Sequence, residues 1–216
     1  MPPQIQGAEQ TAILIDGMGD LFFTSDLHLG HKNIIRLAGR PFNSTPEMNA
    51  WLLEAWNETV GEDATVFVLG DVVLGNRGDG LGVVSKMAGT KHLVVGNHDR
   101  CFGAPGQAAE QRDLAGGFAS VIHGTTLVDV GLAAPALVGH FPYRGDHPGV
   151  PDRHAGVRPE DEGRWLLHGH LHGQYRRRGR MIDVGVDAWA GRPVPVGRIL
   201  EVINGKDDEV PVVPWT

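Results

Sequence analysis

The sequence predicts an α/β fold, and three observations carry that expectation. Apolar runs of strand length recur from residue 20 to residue 203. In the first half, stretches with helical spacing separate them. In the second half the runs follow one another through turns, with little helix between.

Residues 1–19 read as a lead-in with one short apolar stretch, 12–15. "DLFFTSD" (20–26) is a short buried strand that ends on polar residues. Residues 46–60 form a helix: Met48, Trp51, Leu52, Ala55, Trp56 and Val60 recur at helical spacing, with Pro46 near the start and Gly61 past the end. "TVFVLGD" (65–71) and "KHLVVGN" (91–97) are further strands, with a short helix over 81–87 between them. Another helix is expected from about Gln107 to Leu114. Strands at 120–130, 135–141, 165–172, 180–186 and 197–203 then form a meander. Residues 144–163, rich in Gly, Pro and charge, are the one long loop, and such loops are often functional.

The 216 residues suit one domain with a full core. A net charge of -7 argues against a broad basic face for sequence-independent nucleic-acid binding. The basic cluster of Arg176, Arg177, Arg178 and Arg180 reads as a solvated hairpin turn, with a phosphate-binding patch as the alternative. The lone cysteine, Cys101, suits a reducing compartment and reads as an ordinary thiol. No run has the length of a membrane span and the N-terminus lacks the features of a secretory signal, so a cytoplasmic protein is expected.

Five of the apolar runs end alike. They lead to Asp26 and His28 in "SDLH", to Asp71 in "LGD", to Asn97, His98 and Asp99 in "GNHD", to His140 in "VGH", and to His168, His170 and His172 in "HGHLH". Each alone has a bland reading as a turn or as rings on a strand face. Together they differ, because strand ends on one edge of a layered α/β fold gather in one crevice. Two Asp, one Asn and four His placed there without a counter-charge would be costly. Carboxylate, imidazole and amide oxygen suit ions such as Mn, Fe, Zn, Ni or Co, whereas calcium prefers oxygen alone and structural zinc recruits cysteines. Seven ligands are too many for one such ion and suit two that share a carboxylate.

In their order, "SDLH", "GDVV", "GNHD", "GH" and "GHLH" resemble the signature of the calcineurin-like metallophosphoesterases, across residues 26–172. "FTSDLHLGHKNIIRLAGRPFNS" further resembles the small single-domain bacterial and phage members of that family. The resemblance implies one domain over 1–216, built as a four-layer αββα sandwich of two facing mixed sheets flanked by helices. First-half strands would form most of one sheet and the meander most of the other. It implies one metal on Asp26, His28 and His172, a second on Asn97, His140 and His170, and Asp71 bridging them. His98 would stand over the phosphate and protonate the leaving oxygen, with Asp99 orienting its ring. The implied cofactors are two divalent or trivalent ions, Mn or Fe foremost, with Zn, Ni or Co also compatible. The implied reaction is in-line attack on phosphorus by a metal-bridging hydroxide.

The expected substrate is a phosphodiester, or a phosphomonoester, of a small nucleotide-like molecule or a nucleic-acid end. A catalytically silent scaffold of the same fold and a protein phosphatase are the alternatives; the survival of every motif position, His98 included, disfavours the scaffold. No membrane and no obligate protein partner is expected. His31, Arg100, Tyr143 and Arg144 are candidates for substrate contact, the arginines as clamps on phosphate oxygens. His170 and His172 share a strand face, and His168, at the same period of two, is expected to support them. His123 reads as a satisfied strand histidine, and His92, His147 and His154 take no role. Asn76 and Arg77 lie on a loop that could border the site.

Overall fold

A computed structural model describes residues 20–106, 108–146, 149 and 152–215. The apolar stretch 12–15, the start of the helix expected at Gln107, and His147 lie outside the described residues. The first half unfolds largely as its periodicity dictates. It runs β1 (Leu21–Thr24), α1 (Lys32–Leu37), α2 (Thr45–Thr59), β2 (Thr65–Val68), α3 (Arg77–Val84), β3 (Thr90–Val94), α4 (Ala108–Ala115) and β4 (Phe118–Ile122). Ser44 starts α2 by accepting the Glu47 amide proton, with Pro46 in the first turn and the Glu47 carboxylate accepting from Asn43 N. Helix α3 begins four residues before the expected position because Asn76 caps it, accepting from Asp79 N.

The second half holds β5 (Thr125–Val128), β6 (Ala136–Gly139), β7 (Leu166–His168), β8 (Arg177–Arg178), β9 (Met181–Asp183), β10 (Val194–Pro195), α5 (Val196–Asn204) and β11 (Glu209–Val210). Two mixed sheets result, ordered β10-β1-β2-β3-β4 and β11-β8-β9-β7-β6-β5. Strands β1 to β4 run parallel, with β10 antiparallel on the edge, where its proline needs no ladder partner. In the second sheet β6, β7 and β9 are parallel neighbours.

Four expectations change. The strand expected over 120–130 is two strands in different sheets, because Gly124 takes φ +80° and turns the chain across. The second half is not a pure meander: parallel pairing of β6 with β7 needs a crossover, which the 144–163 loop supplies. Strand β7 stops at His168, because His170 and His172 have φ of +73° and +48° and cannot continue an extended chain. The run at 197–203 is helix, not strand: Val196, Ile199 and Ile203 recur at helical spacing and are the buried residues of α5.

Phe22, Val66, Val68, Leu93 and Val95 of the first sheet pack against Ile34, Met48, Leu52, Trp56 and Val84 of α1 to α3. The other face of that sheet, with Phe23, Phe67 and Val94, meets Val138, Leu167 and Ile182 of the second sheet and Ile199 and Ile203 of α5. No helix among the described residues is long and apolar enough to cross a membrane. Every residue of the basic cluster is engaged within the chain. Arg177 is buried and donates to Val202, Ile203 and Gly205 carbonyls at the end of α5, while Arg178 and Arg180 pair with Glu209 and Asp161. Arg176 donates to Pro211 O.

If α5 is helical, Ile199→Ala costs about 2–5 kcal/mol as a buried truncation. Glu201→Ala, on the exposed face, stays within about 0.5 kcal/mol. Urea denaturation measures both; similar losses at 199 and 201 would return the strand.

Candidate metal centre

Parallel strands deliver their C-terminal ends to the same side, and here both sheets do so toward one another. Asp26, Asp71 and Asn97 follow β1, β2 and β3, while His140 follows β6 and His170 and His172 follow β7. Backbone bonds continue past the strands: Asp26 N donates to Gly70 O at 3.0 Å, His28 N to Asp71 O at 2.9 Å, and Gly169 N to His140 O at 3.0 Å. His170 N donates to Asp26 Oδ2 at 2.9 Å and so ties the sheets together.

The backbone there is strained. Among the described residues six non-glycine residues have positive φ, and five are Asp26, His28, Asp71, His170 and His172. Such a conformation costs on the order of 1–3 kcal/mol per residue and persists only where the surroundings impose it. Close approach is enforced as well: a Cβ on Gly96 would overlap the Asp71 carboxylate, and one on Gly169 would overlap Ser25 Oγ and the Asp26 carboxylate.

Two donor groups result. The ligand atoms of Asp26, His28 and His172 lie within 4.8 Å of one another, as do those of Asp26, Asp71 and His140. Asp71 Oδ2 stands between, 3.5 Å from His28 Nε2 and 3.6 Å from His140 Nε2. Asn97 Oδ1 lies 3.0 Å from His140 Nε2 and 3.1 Å from His170 Nδ1. The tautomers follow from the acceptors behind the rings. His140 Nδ1 donates to Leu69 O at 2.7 Å, and His172 Nδ1 to Asp187 Oδ2 at 2.9 Å, which leaves Nε2 of each as the atom that could hold an ion.

Donors of this type fit metal ions. Asp26 Oδ1 and both ring nitrogens of His28 are buried and make no hydrogen bond, and polar atoms are rarely left so. Burial pushes the Asp71 carboxyl up to about 7, with Asp26 and Asp99 adding to it and His140 opposing. A cation between the two groups removes that penalty.

No family model matches the chain. The gene 66 protein of Mycobacterium phage L5 is 36% identical over a 210-position alignment that covers 89% of this chain and 98% of that protein. The gene 66 protein of Mycobacterium phage D29 is 34% identical over a 198-position alignment that covers 87% of this chain and 97% of that protein. The chain belongs to the gene 66 family. The crystal structure of AQ665, a protein of unknown function from Aquifex aeolicus, matches at TM-score 0.63 and 24% identity, over 84% of this chain and 98% of that one, so the two share a fold.

In this gene 66 family member the seven expected ligands converge, but other candidates fall elsewhere. Asp99 does not orient the His98 ring. Its Oδ2 accepts from Gly96 N at 2.8 Å and Asp71 N at 2.9 Å, and its Oδ1 from Val72 N at 3.0 Å, so it clamps the loops that carry Asn97 and Asp71. His98 is exposed beside the centre, 5.5 Å from His28 between ring centroids, and its backbone N–H donates to Asp71 Oδ1. His31 is half-buried at the same distance from His28. Arg100 is exposed. Tyr143 and Arg144 leave the centre: Tyr143 donates to Arg164 O, and both line a cavity of about 360 Å³ with Trp165, Arg178 and Arg180. The chain turns after His140, so neighbours in sequence face another side. His168 is fully buried, with Nδ1 2.7 Å from Gly169 O and Nε2 3.3 Å from the Tyr175 hydroxyl; burial drops its pKa to about 4, so it holds the "HGHLH" backbone as a neutral ring.

Four residues escaped sequence reasoning. Asp187 holds His172, Arg40 holds Asp187, Asp146 Oδ1 lies 3.3 Å from His170 Nε2, and Asp183 accepts from Gly185 N and Gly173 N beside Asp26. "IDVGVD", which begins inside β9 and runs past its end, repeats the pattern of a strand running into carboxylates and is the available signal for Asp183 and Asp187. His154, given no role, lies 5.4 Å from His170 between centroids.

The clamp makes a distinct prediction. Asp99→Asn puts an amide N–H₂ against backbone donors and costs about 1–3 kcal/mol of stability in chelator-stripped protein. Unchanged urea denaturation with lost activity would restore the ring-orienting role.

Proposed function

We propose that this gene 66 family member is a two-metal phosphoesterase of the calcineurin-like type. Its substrate is a phosphodiester, or a phosphomonoester, of a nucleotide-like molecule or a nucleic-acid end. One observation carries the reading: seven oxygen and nitrogen donors from five strand ends meet around Asp71, with buried atoms of Asp26 and His28 otherwise unpartnered.

Asp26, His28 and His172 would hold one ion and Asn97, His140 and His170 the other, with the Asp71 carboxylate shared. Mn or Fe is the favoured occupant, with Zn, Ni or Co compatible. Two bound ions would activate water and neutralise charge on the phosphoryl group. The chain's residues supply the rest. Gly96 and Gly169 let the strand ends close up, and the left-handed residues aim the donors inward. His98, exposed at the edge of the centre, reaches a bound ester and gives its proton to the leaving oxygen. A lone buried Cys101, its thiol pushed up to about 12 mainly by burial, is no nucleophile and fits a reducing, cytoplasmic setting.

The test is hydrolysis of bis-p-nitrophenyl phosphate and p-nitrophenyl phosphate by chelator-stripped protein reloaded with Mn. Metal-dependent release is expected. His98→Ala keeps both ions and loses on the order of 10²–10⁴ in rate, the share of a positioned acid. Asp71→Asn weakens both ions together. Full activity in His98→Ala would remove the acid from the scheme, and two bound ions with no hydrolysis of either ester would favour the scaffold.

A further inference from the structure

Arg40 lies 14 residues beyond Asp26, outside every motif of the centre, yet its side chain is buried at 3% exposure. Its Nη2 donates to Asp26 O at 2.7 Å and its Nη1 to Leu27 O at 2.9 Å, the two carbonyls of the turn that presents Asp26 and His28. The same guanidinium grips Asp187 with both prongs, Nε to Oδ1 at 2.8 Å and Nη2 to Oδ2 at 2.9 Å. Asp187 Oδ2 in turn accepts the Nδ1 proton of His172.

We infer that Arg40 is the positioning residue of one half of the centre, setting Asp26, His28 and His172 against one another through a single buried guanidinium. The inference rests on the two-metal reading above. The three ligands come from two sheets: Asp26 and His28 follow β1, and His172 follows β7. His170 N already ties one oxygen of Asp26 to the second sheet. Arg40 adds the tie that holds the whole Asp26–Leu27 turn and, through Asp187, the His172 ring, a planar fork with five donors that does so without rotating. The Trp215 ring lies 5.6 Å from the guanidinium carbon, and Trp215 packs on Trp51 and Phe42, so an aromatic wall covers the cation. Asn97, His140 and His170 receive no hydrogen bond from Arg40. His140 is held instead by its Nδ1 donating to Leu69 O, and His170 Nε2 lies 3.3 Å from Asp146 Oδ1.

Selective loss of one metal is therefore the signature. Mn is titrated into chelator-stripped parent, Arg40→Lys and Asp187→Asn, with stoichiometry and affinity read by calorimetry and the spin state by EPR. Circular dichroism checks that each variant is folded. The parent takes two Mn per chain and gives the coupled signal of a neighbouring pair. Arg40→Lys keeps the charge but not the fork. It binds one Mn at parental affinity and the other about 10–100-fold more weakly, the usual effect of losing support behind a ligand. At limiting Mn the six-line spectrum of an isolated ion replaces the coupled signal. Asp187→Asn, nearly isosteric, gives the same split and carries the test if Arg40→Lys does not fold. Two Mn at parental affinity in the variants overturns the inference. So does equal weakening of both sites, which is what a general loss of structure produces. A parent that takes fewer than two Mn overturns the two-metal reading itself.

Discussion

Asp26, Asp71 and Asp99 bring three carboxylates into a space that water barely reaches, at 0%, 2% and 9% exposure, and buried carboxylates without counter-charge are expensive. The structure divides the problem oxygen by oxygen. Asp99 is satisfied entirely by three backbone amides. Asp26 gives Oδ2 to His170 N and keeps Oδ1 unpartnered, while Asp71 gives Oδ1 to His98 N and turns Oδ2 toward His28 and His140. Backbone donors thus fix one oxygen of each inner carboxylate and leave the other aimed at the imidazoles. That arrangement suits a cation between them.

The fold exists in a form that permits this convergence. Parallel β1, β2 and β3 bring three ends side by side, and β6 and β7 bring two more from the facing sheet. Extended backbone would carry the next side chains away on alternating faces. Left-handed φ at Asp26, His28, Asp71, His170 and His172 instead folds three of the five strand ends, those of β1, β2 and β7, back over the crevice. The strain falls on the residues whose side chains meet, and the tightly packed glycines before Asn97 and His170 hold it in place.

The candidate ligands were legible because each sits directly after an apolar run, where one-dimensional pattern and three-dimensional position coincide. That coincidence fails as soon as the chain turns. Tyr143 and Arg144 follow His140 by three and four residues and face a different cavity. The strand expected through His172 ended at His168, since left-handed backbone leaves no mark in hydrophobic pattern. "GRILEVI" is compatible with both strand and helix; Val196, one residue before it, completes the helical face and decides the matter. Asp99 looked like support for its neighbour, but its three bonds run to amides, which sequence cannot display as partners. Arg40 and Asp187 stand 147 residues apart, and no local pattern joins them.

The two halves of the centre are held by unlike means, and this bears on what a buried ion pair is for. Withdrawing Arg40 and Asp187 from water costs energy that their attraction need not recover, so the pair is weak evidence for stability. Its geometry is more telling than its energy. A hydrophobic pair in that position would pack, but it could not accept the His172 proton and grip two carbonyls of the Asp26 turn at once. Asp26 and His28 arrive from one sheet and His172 from the other, and a rigid, forked, charged group spans the two. Asn97, His140 and His170 also come from both sheets, and there the Leu69 carbonyl of the facing sheet holds the His140 ring while Asp146 lies against His170.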